Sequence, residues 1–269
     1  MRVGSRTTGG CWRRSEMSDE LPVLWQYSFS NYNEKARWAL DYKGVRHRRR
    51  SLMPGGPKGM WLSRGDGTLP VLDLDGRRVV DSTAIIAALE ERQPERALYP
   101  ADPAERELAL ELEDFFDENA GHDMRRVGFW ELRDHMDYGL EFMTTDQPRV
   151  KAAVGRVGLR ASFPVVWRYL SKRYTFNEEA VERSRGTLVA ALDRIEAERE
   201  GGDYLVGEAF TVADLAGAAL LYPLVWPPEF QYELPDPPDS AFFDAVREHP
   251  ARQWISETWR RHRGSSAAV

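Results

Sequence analysis

The sequence predicts an α/β unit followed by an all-α unit, and two observations carry that prediction. Short apolar runs bounded by turn residues are confined to the first hundred positions, and helical patterns without any strand signal fill the rest. Strands mixed with helices, then helices alone, read as two packed layers of different class, joined near residues 93–103. The division expected is a disordered extension over 1–20, an α/β domain over 21–97 and a helical domain over 98–269.

Pro22 to Tyr27 is a short apolar and aromatic run, the signal of a buried strand. Ser30-Asn31-Tyr32-Asn33 supplies capping residues for a helix over Glu34 to Tyr42, which Gly44 ends. A second strand fits Val45 to Leu52. The Gly/Pro-rich stretch from Pro54 to Gly59 lacks the spacing of a phosphate-cradling loop and reads as a flexible connection. Leu69 to Val80 is a hairpin around Asp75-Gly76, and Asp81-Ser82-Thr83 opens a helix that runs to Glu91. Helical patterns then cover Pro103 to Arg133, Gln147 to Arg173, Asn177 to Glu200, Val212 to Val225 and Asp239 to Arg261. Thr211-Val212-Ala213-Asp214 has the spacing of a capping box, which gives Asp214 a structural role. The helix it opens is apolar on all sides and is expected at the centre of the second domain.

Composition narrows the function classes. The chain has 269 residues, 42% hydrophobic and 11% aromatic, enough to bury a sizeable core. Its single cysteine, Cys11, excludes a disulfide scaffold and internal dithiol chemistry. The longest uncharged apolar stretch, Leu215 to Trp226, contains a proline and is shorter than the roughly 18 residues of a membrane span. A net charge of −6 disfavours nucleic acid and anionic membrane as partners; the Arg46–Arg50 and Arg260–Arg263 clusters are short and read as solvated faces. The five histidines show no metal-ligand spacing, so no metal is implied. Residues 1–16 carry four arginines and no apolar pattern, and their removal is expected to leave stability and activity unchanged.

Three segments in order resemble the glutathione transferase superfamily. They are Tyr27 to Arg37; Gly67 to Leu72 followed by Asp81 to Ile86; and Tyr204 to Gly207 followed by Thr211 to Leu215. The resemblance spans most of 21–263 and implies a thioredoxin-like N-terminal domain, a helical C-terminal domain, a homodimer and a cytoplasmic enzyme of detoxification. It implies glutathione as co-substrate, no metal, and a small hydrophobic electrophile or a peroxide as its acceptor. Ser30 aligns with the family's active-site serine when Lys35-Ala36-Arg37 sets the register. Ser28, Asn31 and Asn33 are alternatives, and Tyr27 would serve in a tyrosine-type member. Leu69, before Pro70, would offer its backbone to the cysteinyl unit, on a cis peptide. Ser82 would hold the γ-glutamyl carboxylate at a helix start, and Asp81, where the family often has Glu, would meet the ammonium. Lys58 could reach the glycine carboxylate.

One hydroxyl at a helix mouth is sufficient for the chemistry. Lowering a thiol from about 8.5 by two units requires roughly 2.7 kcal/mol of preference for the thiolate. A hydroxyl donor to a charged acceptor supplies about 1.5–3 kcal/mol, and a helix N-terminus adds roughly 0.3–1. The acceptor pocket is expected among Phe115, Phe116, Phe129, Trp130 and Trp226. Two other functions compete with the leading one: a non-catalytic binding or regulatory protein on the same fold, and a transferase using a different low-molecular-weight thiol.

Overall fold

The computed structural model describes residues 20–63, 65 and 67–269; the extension expected over 1–20 lies outside them except for Glu20. Four short strands form one mixed sheet in the order β2-β1-β3-β4: β1 Val23–Gln26, β2 Arg48–Ser51, β3 Val71–Leu74 and β4 Arg77–Val80. β1 runs parallel to β2, and the β1/β3 and β3/β4 pairs are antiparallel, with Leu24 opposite both Arg49 and Leu72. The hairpin turns at Asp75 and Gly76, both at positive φ (48° and 76°), as a two-residue turn between right-twisted strands requires. The strand expected over Val45 to Leu52 shortens to four residues. Arg48 N–H reaches the carbonyl of Pro22, and Pro22 has no N–H with which to extend the ladder.

Helix α1 (Asn31–Tyr42) packs against α3 (Ser82–Arg92) and buries Ala36, Trp38, Ala39 and Leu40. Gly44 ends α1 at φ 66°. The stretch read as a flexible connection holds a short helix instead, α2 (Pro57–Leu62). Pro57 starts it, its fixed φ being suited to that position.

The helical part comprises α4 (Pro103–Phe115), α5 (His122–Leu132), α6 (Met136–Met143), α7 (Arg149–Tyr174), α8 (Glu178–Arg199), α9 (Val212–Leu220), α10 (Ala241–Ala245) and α11 (Pro250–His262). The single helix expected over 103–133 is broken by a π-helical turn, Phe116–Gly121. Side chains of α1 take the carbonyls there: Tyr32 Oη donates to Asp117 O at 2.5 Å and Asn31 Nδ2 to Gly121 O at 3.4 Å. The helix expected over 239–261 is also divided, because Pro250 cannot continue the preceding turn. Every residue of α9 is buried, as its apolar composition required. Its capping box forms, with Asp214 accepting from Thr211 N–H at 2.8 Å and also from Leu205 N–H.

Buried charge joins the two parts. Glu34 of α1 lies between Arg37 and Arg263, and Asp41 lies between Arg263 and Arg49. The chain after α11 runs beside β2, where Val269 N–H reaches His47 O at 2.9 Å and Ala267 N–H reaches Asp41 Oδ1 at 2.8 Å. No helix among the described residues is long and apolar enough to cross a membrane.

Candidate functional site

The turn from β1 into α1 carries the candidate hydroxyls, and its backbone is fixed from several sides. Arg37, fully buried, donates from Nη2 to Ser28 O at 2.9 Å and from Nη1 to Gln26 Oε1 at 2.9 Å. Its guanidinium lies over the rings of Phe230 and Tyr232, at 5.5 and 5.0 Å. Tyr222 Oη donates to Phe29 O at 2.6 Å. Packing from the helical part thus determines where Ser30 sits.

The five candidates separate by what their side chains touch. Ser28 is buried and donates to Thr145 O at 2.7 Å, tying the turn to the α6–α7 loop. Asn31 reaches Leu220 O at 3.1 Å as well as Gly121 O. Asn33, fully buried, accepts from Tyr27 N–H at 3.2 Å and donates to Leu69 O at 3.0 Å. Tyr27 Oη faces Gly67 O at 3.4 Å; burial, with Tyr174 nearby, pushes its phenol above the ordinary value, which opposes any role as a phenolate. Ser30 is half-buried at the N-cap of α1, and its hydroxyl makes no capping bond.

Opposite this turn, the Leu69–Pro70 peptide is cis. Pro70 O accepts from Asp81 N–H at 3.3 Å, which places the start of α3 beside the same turn. Asp81 is exposed at φ 87°, and its Oδ1 caps α3 by accepting from Thr83 and Ala84 N–H at 2.9 and 3.2 Å. Ser82 is buried, with Oγ 3.5 Å from Asp117 Oδ1. Lys35 bridges Asp117 and Glu113, so this carboxylate pair is compensated inside the fold. Lys58 is exposed and lies over the ring of Trp25 at 3.8 Å.

Two family models match the chain. The N-terminal domain of glutathione S-transferase matches residues 24–97 and its C-terminal domain matches 135–250. The chain belongs to the glutathione S-transferase superfamily. No curated protein matches it by sequence. Among solved structures it is similar to the β-etherase LigF from Sphingobium sp. strain SYK-6, with TM-score 0.65 and 19% identity over 90% of this chain and 96% of the other. FzlA from C. crescentus gives 0.58 and 20%, over 91% and 89%. The glutathione transferase URE2P6 from Phanerochaete chrysosporium, in complex with oxidised glutathione, gives 0.61 and 15%, over 91% and 93%. At these identities the similarity establishes a shared fold.

In a glutathione S-transferase fold the helical domain faces this turn, and here an aromatic wall does so. Phe142 lies 5.0 Å from Phe29, with Tyr138 and Trp226 at 5.9 and 6.0 Å from Phe142. Of the five aromatics expected in the pocket, the described contacts place Trp226 in this wall. Phe116 is fully buried in the core, and Phe115 packs on it. Phe129 pairs with Phe176, and Trp130 lies under Arg133 at 3.7 Å. Phe142 and Tyr138 were missed because α6 itself was. Trp226 is held at φ 47°, a backbone state rare for a bulky residue. It also borders a cavity of about 350 Å³ with Tyr222, Phe230 and Tyr232.

Proposed function

We propose that this chain is a glutathione transferase that binds glutathione between the Ser30 turn and Leu69 and activates its thiol with the Ser30 hydroxyl. The observation that carries this reading is the contrast within one turn. Ser28, Asn31 and Asn33 are engaged in holding the fold, whereas Ser30 stands at the mouth of α1 with no capping bond. Solved relatives of the same fold hold glutathione, which supports it as the co-substrate. The Leu69 backbone would meet the cysteinyl unit. The Ser82 end of α3 would receive the γ-glutamyl carboxylate, with Asp81 opposite the ammonium. The aromatic wall of Phe142, Tyr138 and Trp226 would take a small hydrophobic electrophile. The same reading carries a cytoplasmic homodimer acting in detoxification, and light scattering at micromolar concentration tests the dimer.

The specific test is the thiolate. Bound glutathione should show thiolate ultraviolet absorbance at pH 7; Ser30→Ala should lose it while keeping most of the affinity, because a donor made mainly to the charged state affects reactivity more than binding. Ser28→Ala and Tyr27→Phe should retain it. Thiolate formation that survives Ser30→Ala excludes Ser30 as the activating group.

Binding without turnover is a second reading. Glutathione bound with its thiol still protonated in the wild type would decide for that reading.

A further inference from the structure

Arg125, on the first turns of α5, differs from the other cations around it. Its neighbour Arg126 is fully engaged: Nε donates to Tyr174 O at 2.8 Å, and Nη1 contacts Ser184 Oγ at 2.6 Å and Asp123. Arg185, across on α8, pairs with Glu131 and Glu182. Arg125 forms no hydrogen bond or ion pair among the described residues, and its Nε is buried with no partner. Its guanidinium instead lies over two tyrosine rings, 5.4 Å from the centre of Tyr32 and 4.6 Å from that of Tyr174. Ring faces hold a guanidinium in plane by cation–π attraction and leave its edge, where the N–H donors point, to another group.

This guanidinium lies beside the candidate site. Tyr32 is two residues after Ser30 and hydrogen-bonds to Asp117 O, and Asp117 is the residue facing Ser82. Tyr174 closes the end of α7, and its backbone is fixed by Arg126. Asp117, whose carbonyl takes the Tyr32 hydroxyl, has its carboxylate paired with Lys35 and not with Arg125.

We propose that Arg125 is a carboxylate-binding residue beside the Ser30 turn, its planar fork receiving a carboxylate of the bound ligand next to Tyr32 and Tyr174. Resting on the transferase reading above, that carboxylate belongs either to the thiol peptide or to an aromatic acid serving as acceptor. A fork of parallel N–H donors fits a carboxylate two-to-two, which a lysine at this position cannot do.

Calorimetric titration tests the proposal without needing turnover. Wild type, Arg125→Gln and Arg125→Lys are titrated with reduced glutathione, 4-nitrobenzoate and the neutral 4-nitrobenzamide. The glutamine variant should lose about tenfold to a hundredfold in affinity for one of the two carboxylates and none for the amide, with the lysine variant between. A loss confined to glutathione assigns the carboxylate to the thiol peptide; a loss confined to nitrobenzoate assigns it to the acceptor. Both carboxylates binding the glutamine variant as they bind wild type, or neither binding wild type, overturns the proposal. Wild type that binds nitrobenzoate through Arg125 but forms no glutathione thiolate would sink the transferase reading and leave this one standing. Thermal melting checks the fold of each variant; where Arg125→Gln is unfolded, Arg125→Lys decides, since it keeps the charge and removes the fork, and affinities equal to wild type in it overturn the proposal.

Discussion

Asn33 joins the two halves of the candidate site: its amide N–H₂ donates to Leu69 O at 3.0 Å while its Oδ1 accepts from Tyr27 N–H at 3.2 Å. One fully buried side chain therefore fixes the distance between the Ser30 turn and the Leu69–Pro70 turn. Asn33→Ala would leave a backbone donor and a backbone acceptor unsatisfied together. The expected loss is about 2–4 kcal/mol of unfolding free energy in urea, with weaker glutathione binding by the folded fraction. An alanine variant as stable as wild type would show that the two turns are held elsewhere.

Glu34 has a different task, balancing two buried guanidinium groups at once. Its side chain is completely shielded, so Glu34→Gln should leave Arg37 and Arg263 under-compensated, at about 3–5 kcal/mol by chemical denaturation. Because Arg37 also holds Ser28 O, the same variant should perturb the Ser30 turn, read as a lower fraction of bound glutathione in the thiolate form.

Acid should weaken the packing of the chain after α11. Burial holds His47 below the ordinary histidine value, with Arg49 adding to the effect against the bond to Val45 O. Arg49 Nε–H can only donate, so His47 Nε2 is the acceptor and Nδ1–H donates to Val45 O. A depressed folded-state pKa means that the unfolded chain binds the proton first, so the contribution is present above about pH 6.5 and is lost as pH falls through the folded value. Between pH 7.5 and 5.5 the unfolding free energy of wild type should fall relative to that of His47→Gln; buried Asp214, its carboxyl raised to about 6, pulls the other way equally in both proteins. His262 is shifted the same way by burial and retains part of the slope in the variant. Parallel pH profiles for the two proteins would show that His47 titrates as if unfolded.

The hairpin at Asp75-Gly76, the stop at Gly44, the Thr211 capping box and the buried α9 were all legible from local signals, because turn chemistry, caps and an apolar circumference each act within a few residues. The π-helical turn was not, since its carbonyls are taken by Tyr32 and Asn31, about 90 residues earlier in the chain. Helix α6, eight residues over a mixed aromatic and acidic stretch, had no periodic pattern long enough to stand out. The short α2 was hidden by glycine and proline, which punctuate loops and helix starts alike.

By itself the sequence determined the order of the strands and of the longer helices, the α/β-then-α division and the small set of hydroxyl and amide groups around Ser30. Serine and asparagine cap helices, bind backbone and activate thiols through the same atoms, so residue type could not choose among Ser28, Ser30, Asn31 and Asn33. Only the tertiary structure separated them, because each competing side chain meets its partner across a long loop in sequence: Ser28 at Thr145, Asn31 at Leu220 and Asn33 at Leu69. The same holds for Arg125 against Arg126. Adjacent and chemically identical, they differ in which face of α5 meets a carboxylate, and that is decided by how α5 packs against α1, α7 and α8.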